Sequence, residues 1–212
     1  MTSPDNESLH LLEKQPGYGK ITVLVGPDGG GKSFLANQLA KERPGSTIIW
    51  GTRPQTWPIP QTDKLKLDRL RGHLEQNSFK YFGLLSLALH RAADKLAKDG
   101  NDVIIDSEQT FKWLMWEDIN GNLNPALKAL TDKKINVFLP DSIRYVVPKA
   151  ENFEEQAGII WDRMSHRPKD QLTDMDPKSL EEVTARLHAC EHVILALEKL
   201  GVTIEEKPPW LS

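Results

Sequence analysis

Short apolar runs alternate with longer amphipathic patterns along the chain from residue 20 onward. Runs rich in β-branched residues, each a few residues long, are typical of strands that are buried on both faces of a sheet. They predict five strands, at residues 21–25, 47–50, 102–106, 142–147 and 202–205.

Apolar residues at steps of three and four predict helices between these strands. The clearest pattern runs through Leu180, Val183, Leu187 and Ile194. The predicted helices span residues 33–43, 64–76, 79–98, 110–118, 125–132, 153–164 and 180–197. Because each parallel crossover needs a covering helix, the alternation predicts an α/β fold with a five-stranded parallel sheet flanked by helices.

Composition fits one domain and narrows the function classes. Of the 212 residues 39% are hydrophobic, and the formal net charge of −3 indicates neither a nucleic-acid nor a membrane surface. Cys190 is the only cysteine, so no internal disulfide can form. Residues 1–10 lack the apolar region of a signal peptide, and no apolar run approaches the roughly 20 residues of a membrane span. We therefore expect a cytoplasmic protein without membrane association, in which a flexible extension, residues 1–19, precedes one domain, residues 20–212.

The strongest motif follows the first predicted strand. Residues 26–33, Gly-Pro-Asp-Gly-Gly-Gly-Lys-Ser, match the G-x-x-x-x-G-K-S pattern of a P-loop and open a predicted helix, which is the context that the motif requires. Glycines let backbone N–H groups wrap a phosphate, the lysine reaches the β- and γ-phosphates, and the serine hydroxyl binds Mg²⁺. The predicted ATP-binding residues are Gly26, Gly29, Gly30, Gly31, Lys32 and Ser33.

Two acidic residues lie at the end of the third predicted strand and just beyond it. Asp106 ends the strand, at the edge of a parallel sheet where functional groups gather. Its carboxylate is a candidate to hold Mg²⁺ together with Ser33, and capping of the next helix is the alternative. Glu108 is a second candidate, as a base, as a support for the metal ligands or as an acceptor-binding residue, with a solvated glutamate at a helix start as its alternative.

Four arginines are candidates for binding phosphate. Arg163 and Arg167 belong to a polar stretch, and we predict a LID segment at residues 163–176 that closes over the reacting phosphates. A solvated surface is the alternative interpretation of this charged stretch. Arg53, after the second strand, is able to clamp an acceptor phosphate with two parallel N–H donors. For Arg53, and for Arg91 within a long predicted helix, a structural ion pair is the alternative.

The order of these motifs resembles that of the thymidylate kinases, a family of P-loop nucleoside monophosphate kinases, between residues 20 and 206. The most specific likeness is the third residue of the P-loop, Asp28, because in that family this aspartate addresses the acceptor sugar. The segment at residues 52–54 resembles the family's Arg-Glu-Pro segment, whose arginine, here Arg53, holds the acceptor phosphate.

The resemblance extends to the second half of the chain. Arg91 lies where the family has a helix arginine that faces the acceptor base, and Asp106 matches the aspartate of the family's Asp-Arg-Tyr motif. Residues 140–141, Pro-Asp, resemble the Pro-Asp before the family's fourth strand, and Arg163 and Arg167 fall on its LID. The resemblance therefore implies a P-loop kinase fold, ATP as donor, Mg²⁺ as cofactor and a homodimer.

The chain departs from the family in the acceptor half. Ser107 stands where the family's motif has an arginine, and Leu87 stands where the family has a base-stacking phenylalanine. We therefore predict a divergent, phage-encoded deoxynucleoside monophosphate kinase acting on a pyrimidine or modified pyrimidine nucleotide. By analogy with phage DNA hypermodification, the first alternative is a kinase that phosphorylates a hydroxymethyl-pyrimidine base in DNA. The alternative of another class is a P-loop NTPase module that binds nucleotide and switches a partner.

Overall fold

The computed structural model describes residues 17–72, 79–132, 140, 142–168 and 176–211. Most of the predicted N-terminal extension, residues 1–16, and the middle of the predicted LID, residues 169–175, lie outside the described residues. In the described ranges, no helix combines the length and the apolar character that crossing a lipid bilayer would require.

All predicted strands and helices are confirmed, with small differences at their ends. The strands are β1 (Ile21–Val25), β2 (Thr47–Trp50), β3 (Val103–Asp106), β4 (Ser142–Tyr145) and β5 (Thr203–Glu205). The helices are α1 (Lys32–Glu42), α2 (Gln61–Gly72), α3 (Phe79–Lys98), α4 (Gln109–Ile119), α5 (Leu123–Thr131), α6 (Phe153–Ser165) and α7 (Leu180–Lys199).

Helices α1 and α4 begin one residue earlier than predicted, and α2 and α5, which each have a proline at their start, begin two or three residues earlier. The carbonyl oxygen of Pro60 accepts hydrogen bonds from the N–H groups of Asp63 and Lys64, so α2 already begins at Gln61. Pro125 lies inside the first turn of α5, where a missing N–H leaves no intrahelical bond unmade. The predicted end of α2 at residue 76 falls outside the described residues.

The five strands form one parallel sheet in the order β2-β3-β1-β4-β5. In the register of this sheet, Asp106 of β3 lies opposite Leu24 of β1 on one side and Trp50 of β2 on the other. Because parallel strands end at the same edge, the loops after β1, β2 and β3 meet there. This edge holds the P-loop.

Helices cover both faces of the sheet, which explains why the strands are apolar on both sides. Val23 and Val25 of β1 belong to the large core cluster that includes residues of α3, α4 and α7. Leu24, which points to the opposite face, packs in a cluster with Ala36 and Leu39 of α1. The central strand is therefore buried from both sides, and its end is held firmly in place.

A close approach of two strand ends at Gly51 provides a test of this architecture. The N–H of Gly51 donates to the carbonyl oxygen of Asp106 at 2.7 Å, and a Cβ on Gly51 would overlap the carbonyl oxygen of Ser107. We expect Gly51→Ala to lower the free energy of unfolding by about 1–3 kcal/mol in urea titrations, the usual cost of overpacking.

Gly158→Ala is the matched control, because Gly158 lies within α6 and a Cβ there would have no neighbour within 4 Å. This change should stabilise the protein by about 0.5–1 kcal/mol, since alanine favours a helix interior. Equal urea midpoints for Gly51→Ala and Gly158→Ala would contradict the close contact between the ends of β2 and β3.

Candidate nucleotide-binding site

Residues 26–31, between β1 and α1, form a tight loop that only glycine-rich sequence allows. Gly26, with φ 142°, and Gly31, with φ 103°, have left-handed backbone conformations that other residues rarely adopt. A Cβ on Gly26 would overlap the carbonyl oxygen of Val146, and one on Gly30 would lie 2.6 Å from the same atom. The loop therefore has the dense backbone curvature that points N–H groups at an anion.

The ammonium group of Lys32 is held against this loop. Lys32 is only 8% exposed, and its Nζ donates to the carbonyl oxygens of Gly26, at 2.8 Å, and Pro27, at 2.7 Å. The carboxylate of Asp28 lies 3.9 Å away. The two carbonyl groups accept hydrogen bonds from the ammonium group but carry no net charge. The loop therefore keeps a positive charge available for phosphate.

Ser33 and Asp106, predicted as a pair of metal ligands, lie in direct contact. The Oγ of Ser33 donates to Oδ2 of Asp106 at 2.7 Å, and the Oγ of Ser107 donates to Oδ1 of the same carboxylate at 3.1 Å. The parallel register brings them together, because it places the end of β3 beside the end of β1. A hydroxyl and a carboxylate at this spacing are the hard oxygen ligands that suit Mg²⁺.

An open cleft of about 920 Å³ unites most of the predicted site residues. Asp28, Gly29, Gly31, Lys32, Ser33, Arg53, Asp106, Arg163 and Arg167 line it, together with Phe34, Trp50, Thr52 and Ser107. Gly26 and Glu108 instead line a much smaller cavity, which they share with Asp28, Lys32 and Lys112. Arg91 is exposed on α3 and lines neither space, so its predicted contact with the acceptor base stays a prediction.

The three arginines of the cleft reach it from different elements. Arg163, in the last turn of α6, donates to the carbonyl oxygen of Gly29 at 3.3 Å. The guanidinium of Arg167 lies 3.4 Å from the carboxylate of Asp176, and that of Arg53 lies 5.6 Å from the ring centroid of Trp50. Cationic groups from α6, from the segment after it and from the end of β2 therefore face one space.

Asp28 is an anion surrounded by cations. Burial acts to raise the pKa of Asp28, but the positive charges of Lys112, Lys32, Arg186 and Arg167 outweigh it and hold the pKa below its usual range. With 37% of its side chain exposed, the carboxylate is ionised and accessible from the cleft. It can accept a hydrogen bond from a ligand hydroxyl.

Glu108 is buried and structural, rather than solvated. Its Oε1 accepts from the hydroxyl of Ser86, at 3.0 Å, and lies 3.1 Å from Nε2 of His90, while Oε2 accepts from the N–H of Phe111 and so caps α4. Burial acts to raise the pKa of Glu108, but the hydrogen bond and charge of His90 and the backbone N–H groups of Thr110 and Phe111 lower it overall. A direct contact of Glu108 with a ligand stays a prediction.

Two further residues of the site were not predicted from the sequence. Lys112 lies one turn into α4, and its positive charge lowers the pKa of Asp28. Asp176 follows residues 169–175, which lie outside the described residues, and its carboxylate pairs with Arg167. Lys112 and Asp28 are far apart in sequence, so no local spacing could have indicated their interaction, whereas Asp176 is the last residue of the predicted LID, where only its pairing with Arg167 was not foreseen. Phe34 is different, because it interrupts the polar face of α1 directly after the P-loop serine, and that is a signal visible in the sequence.

The lowered pKa of Glu108 predicts a pH-dependent contribution to stability. Glu108→Gln keeps the shape of the side chain but loses its charge, and should cost about 1–3 kcal/mol of unfolding free energy at pH 7. Because the folded pKa lies below the unfolded value of about 4.3, the contribution is complete above that value and is lost as pH falls through the folded pKa.

The difference in unfolding free energy between wild type and Glu108→Gln, measured by urea titration, should therefore become smaller at acidic pH. Glu181→Gln, on the exposed first turn of α7, is the control and should stay within about 0.5 kcal/mol of wild type. A difference in unfolding free energy between wild type and Glu108→Gln that stays constant from pH 7 to pH 3 would argue against a buried, ionised carboxylate.

Comparison with known proteins gives a likeness of fold. No protein-family model matches the sequence, and curated proteins give no match. Among solved structures, the chain is similar to deoxyadenosine kinase from M. mycoides with the products dCMP and dCDP bound, at 16% identity and a TM-score of 0.51, covering 88% of this chain and 90% of that one. A second structure of that enzyme, with dATP bound, matches at 15% identity and a TM-score of 0.51, covering 91% and 92% of the two chains. At this level of identity, the likeness shows that this chain has the α/β P-loop fold that these deoxynucleoside kinases also have.

Proposed function

We propose that this chain is an ATP- and Mg²⁺-dependent phosphotransferase whose acceptor is a deoxynucleoside monophosphate. One observation supports this above all others: the Ser33–Asp106 pair, at 2.7 Å, lies in a cleft that is also lined by Lys32 and by arginines from three elements. A site that only binds nucleotide has no evident need for cations on the side of the cleft away from the P-loop. Transfer to an acceptor does need them, because negative charge spreads over the moving phosphoryl group.

The donor polyphosphate binds on the loop between Gly26 and Lys32. Its oxygens replace the carbonyl groups of Gly26 and Pro27 as partners of the Lys32 ammonium, which then lies between the β- and γ-phosphates. Ser33 and Asp106 would hold Mg²⁺, with its remaining ligands from phosphate and water. When bound, this ion neutralises charge that develops on the phosphate oxygens.

Arg163 and Arg167 stabilise the transferring group. Arg163 already lies against the P-loop, at 3.3 Å from the carbonyl oxygen of Gly29. Arg167 is held by Asp176 at the long distance of 3.4 Å, so an incoming phosphate can compete for it. In this proposal the LID at residues 163–176 closes when the arginines exchange these partners for phosphate oxygens, and closure also excludes water.

The acceptor occupies the side of the cleft beside β2. Arg53 is exposed there and can clamp a phosphate with two N–H groups, and Asp28 can accept a hydrogen bond from a sugar hydroxyl. Trp50 offers an indole face beside Arg53, whereas Leu87 supplies no aromatic surface. These features favour a pyrimidine or modified pyrimidine nucleotide bound differently from thymidylate in its own kinases.

Two other acceptors follow from specific observations. The two solved structures compared above are of a deoxyadenosine kinase, which favours a deoxynucleoside whose hydroxyl donates its proton to Asp28 or to a phosphate oxygen. The open cleft of about 920 Å³ also has room for a hydroxymethyl-pyrimidine that remains attached to DNA. A homodimer stays a prediction from the resemblance to the thymidylate kinases.

Lys32 provides the test of the donor site. Lys32→Ala should lower phosphoryl transfer by at least about 10²-fold, the scale for removing one preorganised charge from the transition state. Lys41→Ala, an exposed lysine in the last turn of the same helix, is the control and should retain full activity. Transfer of label from γ-³²P-ATP measures both, and near-normal turnover in Lys32→Ala would exclude the P-loop as the donor site.

An acceptor panel tests the other half of the cleft. Losing one base–aromatic stacking contact costs roughly 1–3 kcal/mol, so thymidylate should bind about fivefold to about 150-fold more weakly than a nucleotide matched to this site. We expect hydroxymethyl-deoxyuridylate, free or within an oligonucleotide, to give a higher kcat/KM than thymidylate, deoxyuridylate or deoxyadenosine. Thymidylate as the best acceptor would show that Leu87 and Ser107 do not alter specificity, and deoxyadenosine as the best would reassign the acceptor class.

A further inference from the structure

Phe34, in the first turn of α1, is an aromatic side chain left in solvent inside the cleft. It is 76% exposed, the highest value among the large hydrophobic residues that the structure describes as exposed. The buried side of α1 consists of Lys32, Ala36 and Leu39, so Phe34 takes no part in packing this helix on the sheet. Its aromatic ring therefore contributes little to the stability of the fold.

Single exposed hydrophobic residues are common on protein surfaces, so exposure alone indicates nothing. Location separates Phe34 from the others. Leu65 of α2, which is 52% exposed, and Leu180 of α7, which is 45% exposed, do not line the cleft, whereas Phe34 does, directly beside Ser33. An aromatic face thus lies in the cleft where phosphate-binding groups already converge.

The order of the phosphate groups along the P-loop and the first turn of α1 indicates which part of a bound ligand contacts this ring. Lys32 and Ser33 mark the β- and γ-phosphates, and the free N–H groups of the first turn of α1 continue the phosphate-binding surface beyond them. The nucleoside of the donor follows the α-phosphate and so emerges over this turn. Trp50, the last residue of β2, and Arg53, which follows it, line the cleft from the β2 side, where the acceptor is proposed to bind.

We propose that Phe34 is the surface against which the nucleoside of the donor triphosphate packs. This inference rests on the proposed function of the P-loop as a triphosphate site. Because every base has a π-face, stacking on a phenylalanine is tolerant of the base. Removing the ring should therefore weaken the binding of ATP and GTP by a similar factor, without changing the binding of the phosphate groups.

The test compares ATP, GTP and inorganic tripolyphosphate, each with Mg²⁺, by isothermal titration calorimetry. Phe34→Ala should raise the Kd for both nucleotides by about fivefold to about 150-fold, and should leave the Kd for tripolyphosphate unchanged. Phe34→Tyr should restore nucleotide binding, because it restores the ring. Leu65→Ala, which removes another exposed hydrophobic side chain, should change none of these constants.

The outcomes separate this inference from the proposed function. Failure of tripolyphosphate and ATP to bind wild type would overturn the P-loop as a triphosphate site, and with it this role of Phe34. Tight tripolyphosphate binding with equal ATP affinity in wild type and Phe34→Ala would overturn only the role of Phe34. Equal losses for ATP and tripolyphosphate would also overturn it, because the residue would then support the loop. Weaker binding of the acceptor alone, with unchanged Kd values for ATP and GTP, would also overturn it, because Phe34 would then contact the acceptor and not the donor.

Discussion

The hydrogen bond from Ser33 to Asp106 is the contact on which the arrangement of the site depends. At 2.7 Å it joins the first turn of α1 to the end of β3, two elements that are more than seventy residues apart in sequence. The contact exists because β1 and β3 are parallel neighbours, with Leu24 opposite Asp106. An antiparallel pair would place these ends at opposite edges of the sheet. The register of β2 with β3 places Trp50 beside Asp106 and so brings the β2 side of the cleft close to the P-loop.

The cations of the cleft have partners that a polyphosphate can replace. The Lys32 ammonium is bonded to two uncharged carbonyl groups, and Arg167 is held at 3.4 Å by one carboxylate. Asp28 is the anion nearest to Lys32, and the surrounding positive charges keep it ionised. Charge-assisted hydrogen bonds to phosphate are stronger than bonds to neutral carbonyl groups, so phosphate entry exchanges weaker partners for stronger ones.

Much of this architecture was predictable, because the hydrophobic periods and the P-loop are local signals. The pairing of Ser33 with Asp106 also followed from the sequence, since both residues end or follow strands of one parallel sheet. Glu108 was not predictable, because its burial depends on Ser86 and His90, which α3 presents across a tertiary contact with α4. Arg91 is exposed on α3 and does not line the cleft, so its contact with an acceptor base stays a prediction from the family resemblance.

In the proposed function, Ser33 and Asp106 together hold the metal of a metal–nucleotide complex. Electron paramagnetic resonance of Mn²⁺, in place of Mg²⁺, measures this directly as the loss of free-ion signal in the presence of ATP. Asp106→Asn should weaken Mn²⁺ retention by about tenfold or more, while metal-free ATP still binds through the loop and Lys32. Unchanged Mn²⁺ binding in Asp106→Asn, with ATP bound, would show that Asp106 does not hold the metal.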